Sequence, residues 1–225
     1  MTVKIKTKYL LHIYAVPILL FFFYVFYKIK IIGKENVPAK GGNNKGLIIM
    51  TNHLSHIDAF FVGLAAFPRF YKPFFYPADA KLWKLPFFKP ILAGMNTIPI
   101  FKGSKSIDVI KYHILIVKNG GSISYFPEGA RSKNGRLQKG KLGAGWITHA
   151  TRALVIPCAV KNTDIAMPVG KSFTLGGGPR RISLIAKFGP PLDLRRFYVL
   201  PSSKETSQKI SDFIMDEIAK LLETI

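Results

Sequence analysis

Short apolar runs alternate along the chain with longer segments whose apolar residues recur every three or four positions. Leu47–Met50 is an apolar run bounded by polar loops, and this pattern is typical of a buried strand. Four other runs share that character and predict further strands: Ile98–Phe101, Ile123–Phe126, Leu154–Val160 and Ile182–Phe188. Short apolar strands that alternate with helices predict an α/β domain whose sheet is largely buried.

Helical spacing is found in three segments. The apolar segment Ala59–Phe67 predicts a buried helix, and Ser106–Lys118 has isoleucines and a valine on one helical face before a glycine stop. In the last segment, Ser202 and Glu205 have the spacing of a capping box, followed by apolar residues on one face. The pattern as a whole predicts a single α/β domain with a mostly buried mixed sheet flanked by helices.

The N-terminal residues have a different character. No formally charged residue occurs from Tyr9 to Tyr27, and a helix of that length would reach about 28 Å against a hydrocarbon core of about 30 Å. We therefore predict an N-terminal membrane helix, with residues 1–32 as the anchor and residues 33–225 as the folded domain. Pro17 would kink that helix, so one that dips into one leaflet fits as well as one that spans the bilayer. A buried helix of a soluble core and a cleaved signal peptide are the weaker alternatives.

The net charge of +21 comes from 33 lysines and arginines against 12 acidic residues, and it suits a polyanionic partner. That partner is either nucleic acid or an anionic membrane surface. Between Phe67 and Phe88, aromatic rings alternate with lysines and prolines, a mixture that suits base stacking or the headgroup level of a bilayer. Because this segment follows a predicted anchor, we expect a membrane-associated protein with no nucleic-acid partner.

The single cysteine, Cys158, excludes an internal disulfide and any multi-cysteine metal site. It lies inside the predicted strand Leu154–Val160, so we expect a small core residue rather than a reactive thiol.

The first candidate site is Asn52–Asp58, directly after the first predicted strand. A histidine can take a proton from a hydroxyl group near neutral pH when a carboxylate fixes its tautomer. If the chain turns at Ser55 and enters a helix near Asp58, the Asp58 carboxylate can reach the ring of His53. The other polar residues are explained as turn and capping residues: Asn52, Ser55 and His56.

The second candidate site is Phe126–Ser132, just beyond another predicted strand. Loops at strand ends are where α/β proteins place ligands. Arg131 offers a guanidinium fork to phosphate oxygens, and Gly129 would let a ligand approach the backbone closely. Glu128 can order that arginine or accept a substrate hydroxyl. By itself, the segment is equally well explained as a surface turn with a solvated salt bridge.

Together the two motifs resemble the glycerolipid acyltransferase family, and within it most closely the 1-acylglycerol-3-phosphate acyltransferases. The resemblance rests on Asn52-His53-x4-Asp58 followed by Phe-Pro-Glu-Gly-x-Arg-Ser, and it covers roughly residues 33 to 195. Two further matches are weaker, an apolar strand with a proline at Val155-Ile156-Pro157 and the pair Lys139-Gly140.

The family resemblance implies that His53 and Asp58 activate the acceptor hydroxyl for attack on an acyl-CoA or acyl-carrier-protein thioester. It implies no covalent acyl-enzyme, no metal and no cofactor besides the donor substrate. It also implies an acceptor-phosphate site formed by Lys102, Glu128, Gly129 and Arg131. The family has an aspartate–arginine pair where this chain has Phe101 and Lys102, and lysine keeps the charge but lacks the bidentate fork.

The resulting prediction is acylation of 1-acylglycerol-3-phosphate to phosphatidic acid in phospholipid biosynthesis, at the cytoplasmic face of the cell membrane. The expected partners are membrane lipids, the lysophospholipid acceptor and the acyl donor. One alternative is a different lysolipid acceptor acylated by the same mechanism. A hydrolase that uses Ser55 or another serine as nucleophile, with His53 or His56, is disfavoured because the chain contains no Gly-x-Ser-x-Gly motif. The remaining alternative is a non-catalytic basic protein that tethers nucleic acid or proteins to the membrane.

Overall fold

The computed structural model describes residues 17–18, 21, 23–39, 46–67, 69–70, 74–80, 96–100, 106–168 and 182–225. The predicted membrane segment Tyr9–Tyr27 lies largely outside these residues. Within them, no helix combines the length and the apolar character that crossing a membrane requires.

The described residues contain seven strands that form one mixed sheet. The strands are β1 (Lys28–Ile32), β2 (Leu47–Thr51), β3 (Phe74–Asp79), β4 (Thr97–Ile100), β5 (Ser122–Tyr125), β6 (Leu154–Lys161) and β7 (Ser183–Phe188). Their order across the sheet is β1-β7-β6-β2-β5-β3-β4. The five strands from β6 to β4 are parallel to one another, whereas β7 runs antiparallel to β6 and β1 pairs with β7 in parallel.

Helices cover both faces of the sheet. They are α1 (Asp58–Ala66), α2 (Ser106–Lys118), α3 (Leu142–Thr151), α4 (Thr163–Ala166), α5 (Arg195–Tyr198) and α6 (Lys204–Leu222), and a 3-10 turn spans Lys34–Asn36. Helix α1 packs on one face, and α2, α3 and α6 pack on the other. This arrangement confirms the predicted α/β class with a mostly parallel, mixed sheet between helices.

Strand β2 lies in the middle of the sheet, with helices packed on both faces, and its residues Leu47–Met50 are therefore all apolar. Leu47 and Ile49 belong to the core on the α1 side, while Ile48 and Met50 belong to the core on the α2 side. All four are at most 2% exposed. Burying a side chain of this size contributes about 1.5–3 kcal/mol, so both faces of β2 stabilise the fold.

The predicted elements differ from the observed ones at a few points. Helix α2 has the predicted bounds, but α6 is capped by Ser203, whose hydroxyl accepts a 3.1 Å hydrogen bond from the Thr206 N–H. The capping box predicted at Ser202 is therefore wrong by one residue, because the tertiary path places Ser203 in the extended conformation that a cap requires. Glu205 instead forms an ion pair with Lys209.

The aromatic segment between Phe67 and Phe88 was expected at a bilayer surface, and its described part contradicts that expectation. Phe70, Phe74 and Tyr76 are each 1% exposed, and they pack against one another in the core. Residues 74–79 form β3, in which the rings of Phe74 and Tyr76 belong to the core on the α1 side and that of Phe75 belongs to the core on the α2 side. Residues 71–73 and 81–88 lie outside the described part of the chain.

Parallel pairing brings the two candidate sites to the same edge of the sheet. Strands β2 and β5 are neighbours, with Ile48 opposite Ile123 and Met50 opposite Tyr125. The loop after each strand carries one of the two motifs. Since the strands are parallel, both loops leave the sheet at its carboxyl edge, the usual ligand site of such folds.

Candidate active site

A histidine–aspartate pair lies directly after β2. His53 Nδ1 is 2.9 Å from Asp58 Oδ2, and the His53 side chain is 18% exposed while that of Asp58 is fully buried. A carboxylate can only accept, so this contact places the imidazole proton on Nδ1 and leaves Nε2 with its lone pair. The predicted contact between these side chains is present, and the ring remains accessible to a substrate.

Backbone hydrogen bonds fix the carboxylate in this position. Asp58 Oδ2 also accepts from the N–H groups of Leu54 at 2.6 Å and Ser55 at 2.7 Å. Asp58 is the first residue of α1, where the helix dipole favours a negative charge. The aspartate is therefore held by its own turn, and the position of its charge does not depend on the histidine.

Two neighbouring side chains hold the turn to the rest of the fold. Both ends of the buried Asn52 amide bond the backbone of Val160 in β6, at 2.9 and 2.8 Å. The Ser55 hydroxyl donates to the Met167 carbonyl at 2.8 Å, and the residue is fully buried. A nucleophilic role for Ser55, the basis of the hydrolase alternative, is inconsistent with this burial.

Glu128 connects the two motifs. Its Oε1 accepts from the His53 N–H at 2.7 Å, and its Oε2 accepts from the Gln138 N–H at 3.0 Å. Burial raises the pKa of this carboxyl, and the N–H groups of His53 and Gln138 act in the opposite direction. Both oxygens accept hydrogen bonds from backbone N–H groups. The predicted contact between Glu128 and Arg131 is not found among the ion pairs of the described residues. The geometry of Glu128 is that of a positioning residue.

The same loop contacts His53 in two further ways. The Ser132 N–H donates to the His53 carbonyl at 2.7 Å, so both backbone polar groups of the histidine bond this loop. The Phe126 ring stacks on the imidazole with 3.8 Å between centroids and 15° between planes. The stacking of Phe126 on His53 could not be predicted from the sequence, because no spacing rule tells which side chains become neighbours across parallel strands.

The predicted phosphate-binding residues are only partly described. Lys102 lies outside the described residues. Gly129 has a φ of 68° within the turn after β5, a conformation that glycine adopts without strain. Arg131 is half-buried, and its Nη1 atom is buried without a hydrogen-bond partner in the described part of the chain. A buried guanidinium nitrogen without a partner suits an anionic ligand.

An open groove of about 650 Å³ lies beside this loop. Its walls are largely apolar and include Ile107, Ile110, Leu142 and Trp146, and Lys141 is part of its lining. Across the described ranges, no group of three or more His, Cys, Asp or Glu residues is arranged to hold a metal ion.

Comparison with known proteins identifies the class to which this fold and site belong. The family model described as Acyltransferase matches residues 28–161, which is more than half of the chain and includes both motifs. The chain therefore belongs to the acyltransferase family.

Its relatives include bacterial and chloroplast proteins. The 1-acyl-sn-glycerol-3-phosphate acyltransferase of Borreliella burgdorferi is 29% identical over 200 residues, which cover 88% of this chain and 73% of that protein. A chloroplastic 1-acyl-sn-glycerol-3-phosphate acyltransferase of Arabidopsis thaliana is 29% identical over 161 residues, which cover 71% of this chain. The matched segments span only 43% and 44% of the Arabidopsis and Brassica napus relatives.

The fold also resembles that of a solved structure. The 1-acyl-sn-glycerophosphate acyltransferase from Thermotoga maritima has a TM-score of 0.68 with this chain, at 21% sequence identity. The match covers 95% of this chain and 81% of that one, so the two share essentially the whole architecture.

Proposed function

We propose that this protein transfers a fatty acyl group from a thioester donor to the free hydroxyl of 1-acylglycerol-3-phosphate, giving phosphatidic acid. The main support is the accessible His53 ring, whose Nδ1 bonds the buried Asp58 carboxylate and whose backbone bonds the loop that carries Arg131. The relatives named above are 1-acyl-sn-glycerol-3-phosphate acyltransferases, which supports the same acceptor.

In the proposed mechanism, His53 Nε2 accepts the proton of the acceptor hydroxyl as its oxygen attacks the thioester carbonyl carbon. Asp58 stabilises the imidazolium that forms, as the carboxylate of a catalytic triad does. The carbon–sulfur bond then breaks, and the imidazolium returns the proton to the leaving thiolate. The acyl group passes directly between substrates, so the proposal needs no metal, cofactor or acyl-enzyme.

The acceptor is proposed to bind through its phosphate. Arg131 is proposed to supply a guanidinium to the phosphate, since the backbone of Ser132, the next residue, bonds the His53 carbonyl. Lys102 is proposed to supply a second charge, as the family resemblance implies. Glu128 and Gly129 shape this pocket through the conformation of the loop, and Glu128 does so without contacting the substrate.

The test of the catalytic assignment is a pair of histidine substitutions in the full-length protein. With lysophosphatidic acid and labelled acyl-CoA or acyl-carrier protein in separate arms, His53→Ala is expected to lower kcat by about 10² to 10⁴. His149→Ala is the matched control, because His149 contacts the Leu200 carbonyl at the far end of α3. Folded His53→Ala protein with turnover near the wild type would overturn the mechanism.

We further propose that the protein works at a membrane surface, on the cytoplasmic face of the cell membrane. Ile18, Phe21 and Tyr24 are 68%, 71% and 51% exposed, and they precede Lys28 at the start of β1. Strand β1 begins beside the start of β7, which pairs with the carboxyl end of β6. These exposed apolar residues are therefore connected to the edge of the sheet that carries His53, where a lipid substrate would arrive.

Flotation with liposomes tests this membrane proposal. The full-length protein is expected to float with vesicles that contain anionic lipid, and a Phe21→Asp variant is expected to float less while it remains folded. Equal flotation of the two proteins would contradict a contribution of these exposed residues to membrane binding.

A further inference from the structure

The side chain of Lys141 lies across the glycine turn of the second motif. A Cβ atom built on Gly129 would be 3.0 Å from Lys141 Cδ and 3.2 Å from Lys141 Nζ. A side chain at this place would press on the flexible end of the lysine and shift it by a few tenths of an ångström. The ammonium group consequently lies beside Gly129, which precedes Arg131 by two residues in the turn proposed to receive the acceptor.

The backbone of Lys141 is held on both sides. Its N–H donates to the Pro127 carbonyl at 2.9 Å, and its carbonyl accepts from the Ser211 hydroxyl of α6 at 2.9 Å. Lys141 is also the residue before α3, whose first turn packs on α6 near Ser211. These contacts fix the start of the lysine side chain relative to the turn, although its charged end is exposed.

The charge of Lys141 has no acidic partner in the described residues. None of the ion pairs found there includes Lys141. The nearest acid in the loop, Glu128, uses both oxygens for backbone N–H groups. Arg131 Nη1 is buried without a partner among the described residues, so Lys141 adds a second cation without an acidic partner there, beside Gly129.

We propose that Lys141 binds the phosphate of the acceptor together with Arg131, and thereby selects phosphorylated acceptors over neutral ones. This inference rests on the proposed function, because it assigns a residue to the acceptor site of that reaction. A phosphate dianion placed at the Gly129 turn would receive charge-assisted hydrogen bonds from both side chains. Lysine suits this position, since its flexible stem can follow the phosphate while the backbone stays fixed.

The experiment compares Lys141→Met and Lys118→Met in the full-length protein with two acceptors, lysophosphatidic acid and monoacylglycerol. Methionine keeps much of the length and apolar stem of lysine but removes the charge. For Lys141→Met, KM for lysophosphatidic acid is expected to rise about 10- to 100-fold with a much smaller change in kcat. Lys118 is the exposed last residue of α2 and controls for the loss of one positive charge away from the turn.

The outcomes separate this inference from the proposed function. The inference requires that any slow acylation of monoacylglycerol is unaffected by Lys141→Met, and that Lys141→Arg recovers most of the affinity for lysophosphatidic acid. A KM for lysophosphatidic acid equal to that of Lys118→Met would overturn it, as would a rise confined to the KM of the acyl donor. An inactive wild-type protein would instead contradict the proposed function itself.

Discussion

The two motif segments at the carboxyl edge of the sheet are built in opposite ways. In the segment after β2, Asp58 Oδ2 receives three donors and Asn52 bonds both backbone polar groups of Val160. In the segment after β5, the charges of Arg131 and Lys141 have no acidic partner among the described residues. The first segment fixes its carboxylate through one oxygen, while Asp58 Oδ1 is buried without a hydrogen-bond partner among the described residues. The second segment presents charges that a ligand can satisfy.

This difference corresponds to the two tasks of the proposed reaction. Proton transfer requires a base held in one orientation, and the several internal hydrogen bonds of Asp58 Oδ2 and of Asn52 provide that order. Binding of an anion requires donors without internal partners, because an arginine already paired with a carboxylate would gain little from a phosphate. Glu128 joins the segments, so the base and the anion site are positioned relative to each other.

The largest effect is expected from a change in the well-bonded segment. Asp58→Asn keeps an oxygen where Oδ2 accepts its hydrogen bonds but removes the negative charge that stabilises the imidazolium. We expect kcat to fall by about 10² to 10⁴ while KM for the acceptor stays near the wild type. Steady-state kinetics on folded protein provide the measurement, and an unchanged kcat would show that the carboxylate charge is not needed.

A smaller effect is expected from the residue that joins the segments. In Glu128→Gln, the amide nitrogen must face a backbone N–H of either His53 or Gln138, so one of the two bonds is lost. We expect kcat/KM to fall about 10- to 100-fold, as loss of a charge-assisted hydrogen bond would produce. The exposed Glu205 offers the control Glu205→Gln, and equal activities of the two variants would count against a positioning role.

The smallest effect on catalysis is expected in the segment with unpaired charges. Gly129→Ala and Gly135→Ala both place a side chain at positive φ, and each should lower stability by about 1–2 kcal/mol. Only the first displaces Lys141, because the nearest atom to a Cβ on Gly135 is Asp164 Oδ2 at 3.7 Å. We therefore expect KM for lysophosphatidic acid to rise several-fold in Gly129→Ala alone. Similar KM values in both variants would mean that the position of Lys141 is unimportant.

The fold class and most elements could be predicted because both depend on local pattern. The continuous apolar sequence of Leu47–Met50 and the helical spacing in Ser106–Lys118 mark elements that the structure contains at nearly those bounds. Strand β3 was missed because Phe74–Asp79 mixes aromatic residues with a proline and an aspartate. The burial of those rings depends on α1 lying above them, and no local pattern encodes that contact.

In the candidate site, the sequence predicted the contact between His53 and Asp58, since these residues are only five positions apart and a single turn can bring their side chains together. It allowed Glu128 either to order Arg131 or to accept a substrate hydroxyl, and the family resemblance placed Glu128 in the acceptor-phosphate site. The tertiary structure gives both oxygens of Glu128 to backbone N–H groups instead, one of them on the neighbouring strand's loop. The sequence did not indicate Lys141 as a site residue, because its proximity to Gly129 results from the return of the chain into α3.

The amino-acid sequence by itself determined the α/β class, five of the seven strands found in the described residues and the residue types available for acyl transfer, because these depend on periodicity and on short-range turns. Only the tertiary structure decided which of those residues meet. Parallel pairing of β2 with β5 stacks Phe126 on His53, and the docking of α3 against α6 holds Lys141 at the turn. Such contacts join residues far apart in the chain, and they form only when the buried faces of sheet and helices pack together.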